Sequence, residues 1–352
     1  MTKNKNFIAI HIIPTGIGAN IGGYAGDAGP ANQLIASSVD LLIANPNIVN
    51  AATLHNIPQN LLYTEGYTLD NFCKGNIALR PKRSNKIGVV FDKSIPEEVL
   101  NININAINAC KSIYGLDIIG YTRTKKHVGI SFGLTDNNFS SGNIDNTNTL
   151  LEASAFLIDN GADALAIVCM FNDLDDNDNY SKGLGVDPVG GIESIISHLV
   201  SQTFNVPCAH APAFSYKECM PSTNIVDPRA ASEYFSPTFL PCVLAGLNKA
   251  PQIINIIESK LSDIQFVDTD IIITPSDCLG SIPVICAVEK NIQILSIKEN
   301  TSVLDVTKEK LNITDKVLEA SNYLEACGFI MALKQGISPA TILRPIQKTI
   351  GI

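Results

Sequence analysis

The chain has 352 residues, 45% hydrophobic and 17% charged, with a net charge of −9 and a pI near 5.1. Such a composition supplies a sizeable packed core and excludes a largely disordered chain. The acidic balance also excludes a basic surface for phosphate backbones, so nucleic acid is not an expected partner; the clusters Arg80-Pro81-Lys82-Arg83 and Arg123-Thr124-Lys125-Lys126 read as solvated loops.

From the N terminus, a polar start leads into FIAIHII (residues 7–13), which Pro14 and a run of glycines end too soon for a spanning helix or a secretory core. With no Arg/Ser-rich leader either, the expectation is a cytoplasmic protein with no membrane partner. Further strand-length apolar runs follow: VDLLIAN, KIGVVFD, LDIIGYT, ADALAIVCM, NVPCAHA, TDIIITP and IQILSIK. Nearly continuous apolar strands belong to a sheet covered on both faces.

Helical stretches fall between them. Residues 96–114 open with Pro96, Glu97 and Glu98, suited to the positive end of a helix. Residues 148–160 stop at Gly161, and helical patterns also cover 190–204 and 281–290. The alternation predicts an α/β fold, an open, mostly parallel, doubly wound sheet. The polar segment 136–147 suggests two α/β lobes, 1–140 and 141–352, with one continuous sheet and a long functional loop as the alternative.

The segment PTGIGANIGGYAGDAGP (14–30) follows the first strand directly. Its glycines can turn backbone N–H groups inward, where α/β proteins hold anions. Gly16 and Gly18 begin a dinucleotide fingerprint, but Ile21 and the late Gly22-Gly23 break it, and no acidic residue ends the next strand. No Gly-Lys-Ser/Thr follows, which excludes a P-loop. The expectation is a cradle for a small anion built from Thr15, Gly16, Gly18, Asn20, Gly22, Gly23 and Asp27, against the alternative of a crossover that needs small residues for packing. A second glycine loop, 183–191, ends in Gly190 and Gly191 at a helix start and suggests a shared cleft. No cofactor can be named from these loops.

Asp173, Asp175, Asp176 and Asp178 form an acidic stretch without EF-hand spacing, so it reads as a solvated loop rather than a metal site, with Asp173 nearest the strand end. Nine widely spaced cysteines without a CxxC read as reduced thiols, and no zinc set is recognised. Cys169 ends a strand and Cys278 follows Ser276-Asp277, positions from which α/β enzymes present reactive groups. His210, between Pro207 and Pro212, is the strongest histidine candidate for a general acid or base, whereas His198 reads as a helix residue at the core boundary.

The strings PTGIGANIGGYAGDAGPAN, NPNIVNAATLHNIPQNLLYTEGY, GVDPVGGIESIISHL, PCAHAP and SEYFSPTFLPCVLAGL together resemble a family of unassigned function from cyanobacteria and plastid-bearing lineages. A local likeness around Asn160 to Cys169 is similar to aspartate and hydantoin racemases, which implies Cys169 and Cys278 as a cofactor-free acid/base pair; the Cys-Asn-Thr and Gly-Cys-Thr-His signatures of that group are absent. The expected function is Cys/His acid-base chemistry on a small carboxylate-type metabolite, of the racemase, isomerase or lyase kind. The alternative is a non-catalytic or regulatory protein binding a nucleotide or phosphorylated metabolite, and a homo-oligomer is compatible with either.

Overall fold

The computed structural model describes residues 6–54, 56–172 and 179–351. Strands β1 (Ile8–His11), β2 (Leu41–Ala44) and β3 (Leu61–Tyr63) come first, followed by β4 (Ile77–Arg80), β5 (Ile87–Phe91) and β6 (Ile118–Arg123). A hairpin of β7 (Ile130–Leu134) and β8 (Ser140–Ile144) precedes β9 (Ala164–Met170) and β10 (Cys208–Ala213). The chain ends with β11 (Gln252–Asn255), β12 (Ile271–Pro275), β13 (Gln293–Ile297) and β14 (Val317–Ala320).

All eight apolar runs read as strands form strands, and the four helical stretches form helices at Glu97–Tyr114, Thr147–Asp159, Gly190–Phe204 and Ile282–Lys290. Gly115 closes the first of them in the left-handed conformation at φ 66°, which a side chain would disfavour. The larger sheet is entirely parallel, in the order β14-β13-β12-β1-β2-β3. The smaller sheet, β10-β9-β5-β6, is parallel as well. The fold is therefore mixed α/β with mostly parallel sheets, as its apolar periodicity requires.

Neither sheet is drawn from one half of the chain. The larger joins the first three strands to the last three, and the smaller takes β5, β6, β9 and β10 from the middle. Side-chain alternation explains how the two share an interior. Ala9, Ile271 and Leu295 from the larger sheet enter the same core as Val89, Ala166 and Ala211 from the smaller, while Ile10, Ile272 and Ile294 face a second cluster and Val90, Leu165 and Ile167 a third. Helix Leu240–Leu247, apolar around its whole circumference, lies wholly inside the shared core against β9 and β10. The polar segment 136–147 is built into the fold: β8 lies within it and packs on helix Gly190–Phe204. Among the described residues no helix is long and apolar enough to cross a membrane.

Candidate functional site

A cavity of about 540 Å³ opens between the sheets, beyond the carboxyl ends of their parallel strands. Thr15 reaches it after β1, Asn45 after β2, Glu65 after β3 and Phe214 after β10. This is where open α/β sheets place ligands, because strand ends and helix starts leave loop groups converging there. Helix Gly190–Phe204 forms one wall, contributing Glu193, Ser194, Ser197 and His198.

The two glycine loops meet, as the sequence suggests. A Cβ on Gly190 would lie 2.6 Å from Thr15 Cγ2, and one on Gly16 would lie 3.3 Å from the Gly191 nitrogen, so small residues are needed for the approach itself. Ser140 lies between the loops: its amide donates to Gly16 O at 2.9 Å, and its Oγ accepts from the Gly191 amide at 2.8 Å and donates to Pro188 O at 2.7 Å.

The amides of these loops serve the protein's own acceptors. Gly22 and Tyr24 donate to Asp27 Oδ1, Ile21 to Asn300 Oδ1, and Ala25 to Glu233 Oε1. The Asn20 amide donates to Thr301 O and its side chain to Glu299 O, which turns Asn20 away to the loop after β13. Of the residues expected to form the cradle, Thr15 and Gly23 line the cavity, whereas Gly16, Gly18, Asn20, Gly22, Asp27, Gly190 and Gly191 support its walls.

Carboxyl groups dominate the chemistry that faces the space. Glu193 Oε1 accepts from His210 Nδ1 at 3.2 Å, Asp187 Oδ1 accepts from the Val189 amide, and Glu233 Oε1 accepts from Tyr180 Oη at 3.3 Å as well as from Ala25. Burial pushes Glu193 up to about 8, with 23% of its side chain exposed. Burial, then the neighbouring Glu193 charge, pushes Asp187 up to about 7; burial, then Asp187, pushes Glu233 up to about 8. A second pair occupies another wall: His198 Nε2 lies 3.5 Å from Glu65 Oε2, and burial raises Glu65 to about 7.

His210 lines the cavity with both ring nitrogens engaged. Its Nε2 accepts from the Cys169 amide at 3.3 Å, so a neutral ring carries its proton on Nδ1 and donates it to Glu193. Burial lowers its pKa to about 3, which keeps the ring neutral. It positions Glu193 and has no free nitrogen for accepting a proton.

The two thiols are not brought together. Cys169 sits in β9 among the core residues of the smaller sheet, and Cys278 follows β12 of the larger, donating to Asp277 Oδ1 at 3.2 Å beside Ser302. Neither lines the cavity, and burial raises both thiols above the ordinary range, opposite to what a nucleophile or base needs. Asp173 and the rest of 173–178 lie outside the described residues, as does His55. No group of three or more His, Cys, Asp or Glu that could hold a metal occurs among the described residues.

Asp187, Glu193, Glu233 and Glu65 are cavity groups that the sequence does not single out, and His198, a core-boundary helix residue by its sequence, faces the cavity with them. Glu193 stands in the first turn of its helix, and nothing local connects it to residues 210 or 233.

A family model described as "Protein of unknown function (DUF3326)" matches residues 8–343. An uncharacterized lipoprotein of Synechococcus sp. is 37% identical over 344 residues, covering 96% of this chain and 94% of its own length. No solved structure matches. With matches spanning nearly the whole chain, the protein belongs to the DUF3326 family, whose function is unassigned.

Proposed function

We propose that the cavity is the active site of an enzyme that transfers protons to and from a small polar molecule, with Glu193 as the principal acid. The observation that carries this reading is the Glu193–His210 contact: a carboxyl with a pKa near 8 is aimed by a locked neutral imidazole inside a cavity at the strand ends. A group that titrates near neutrality can both give and regain a proton at physiological pH.

The charge of the lining bears on the substrate. Once ionised, Asp187, Glu193 and Glu233 repel one another, and an anion among them would add to that repulsion. An uncharged or cationic molecule fits better than the carboxylate that the glycine loops alone suggested. The same argument weighs against a nucleotide or phosphorylated metabolite.

The test is incubation with a cellular metabolite extract in D2O, followed by mass spectrometry for deuterium entering carbon positions. Wild-type protein labels a metabolite, and Glu193→Gln slows labelling by about a hundredfold or more. Labelling that persists at full rate in Glu193→Gln would overturn the assignment.

A second reading, capture of a solute without chemistry, is favoured by the name of the Synechococcus relative, a lipoprotein, which suits a binding protein held at a membrane surface. It would show a co-purifying small molecule and no labelling.

A further inference from the structure

Resting on the proton-transfer reading, we propose that His198 is a second catalytic group of this site, the base that works with Glu193 as acid on a small carbonyl compound. Both residues project from helix Gly190–Phe204 into the same cavity. They are five positions apart, an axial rise of about 7.5 Å and a turn of about 140°, with Ser194 and Ser197 between them on the helix face that lines the cavity.

The two imidazoles of the cavity differ in a way that assigns their roles. His210 is 1% exposed at its side chain and has a partner on each ring nitrogen. His198 is 39% exposed, and its Nε2 faces Glu65 Oε2 at 3.5 Å. Among the described residues no hydrogen bond occupies its Nδ1. A carboxyl beside one nitrogen orients the ring with a proton there and leaves the lone pair on the other, the arrangement a general base requires. Gly66 makes room for it, since a Cβ at that position would lie 2.7 Å from His198 Nε2.

The proton balance closes on these two groups. The substrate C–H bond beside the carbonyl breaks, its electron pair forms the C=C bond of an enol, and the proton passes to His198 Nδ1. Glu193 gives its own proton to the carbonyl oxygen. Return of a proton to carbon and of the hydroxyl proton to Glu193 restores both groups, with no change of oxidation state.

The surroundings set compatible charge states. His198 is faced by Glu65, the N-cap of helix Gly66–Cys73, with Asp70 of that helix on the same cavity lining, and burial lowers the pKa of His198. Glu193 is faced by His210 from β10, by Asp187 from the preceding loop and by Glu233 from helix Ala231–Tyr234. The nearby Tyr63 phenol and Cys242 thiol are pushed up by burial and stay protonated. Near neutral pH a neutral base and a protonated acid therefore coexist on one helix.

Two measurements on the full chain test this. Nitrogen NMR of labelled histidines reports tautomer and titration: His198 is expected as the Nε2–H form, titrating below 6.5. An Nδ1–H form, or titration at or above that value, overturns the assignment. In parallel, 1-hydroxypropan-2-one and dihydroxyacetone are incubated with the protein in D2O. His198→Gln is expected to lower carbon deuteration about a hundredfold or more, while His127→Gln, outside the cavity, leaves it unchanged. Wild-type rates in His198→Gln with loss in Glu193→Gln overturn the role of His198 alone. Wild-type rates in both variants overturn the proton-transfer reading, and exchange of neither ketone by wild-type protein overturns the carbonyl class.

Discussion

Ser140 and Gly191 form the joint between the two glycine loops, with the Gly191 amide donating to Ser140 Oγ at 2.8 Å while the same hydroxyl donates to Pro188 O. Through its own amide Ser140 also holds Gly16, so a residue of an outlying hairpin fixes the loop after β1 against the loop before helix Gly190–Phe204. Removing the hydroxyl in Ser140→Ala leaves a donor and an acceptor without partners, and an expected loss of about 1–3 kcal/mol, read by urea unfolding. Gly191→Ala should cost more, because its Cβ would meet the Ser140 carbonyl.

Acid should weaken the fold through buried histidines. His11 lies wholly inside the larger sheet's core with Nδ1 3.4 Å from Asn32 Oδ1 and Nε2 3.3 Å from Tyr323 Oη. Burial lowers its pKa to about 4, against 6.5 unfolded. The unfolded chain thus binds a proton first, and stability contributed by neutral His11 is complete above 6.5 and lost as pH falls towards 4. The difference amounts to about 3 kcal/mol. His11→Gln should flatten that limb of a Tm-against-pH curve, whatever it does to Tm at neutral pH.

The cavity carboxyls act with the opposite sign. Glu193 and Glu233 keep their protons in the fold until about 8, while the unfolded chain releases them near 4.5, so their effect is a loss of stability as pH rises from 4.5 to 8. Glu193→Gln keeps an oxygen to accept from His210 and removes the titration. It should stabilise the protein by on the order of 1–3 kcal/mol at pH 8 and by little at pH 5. Calorimetry at both values checks this, and equal shifts at the two would contradict it.

Gly66→Ala separates site geometry from folding. The added methyl meets the end of the His198 side chain, which can swing aside, so stability should fall by only about 1 kcal/mol. Proton transfer should fall far more, because His198 would leave its place beside Glu65. Parallel Tm and deuterium-labelling measurements make the comparison.

Leu244 lies at 0% exposure in the helix that fills the shared core. Leu244→Ala should cost about 2–5 kcal/mol by cavity formation, measured by denaturant unfolding. An effect below 1 kcal/mol would mean that the core between the sheets collapses freely around the gap.

Local pattern by itself determined the elements that face apolar neighbours on both sides. FIAIHII or ADALAIVCM can satisfy burial only as an interior strand, and Gly115 and Gly161 stop helices because few other residues accept positive φ. It also placed the two glycine loops together, since each follows a parallel strand. Short segments escaped it: β3 has three residues, and β7 and β8 are partly exposed strands of mixed polarity whose pairing comes from a hairpin and from helix Gly190–Phe204. Tertiary structure alone decided which strands joined which sheet, because parallel pairing is set by crossover packing and leaves no local mark. It decided the site for the same reason. Cys169 and Cys278 have suggestive positions along the chain, yet one lies in the smaller sheet and the other beyond a strand of the larger, whereas Glu193 and Glu233, unremarkable in sequence, meet His210 in one cavity. A side chain's proton affinity follows from what encloses it, and enclosure exists only after the chain has folded.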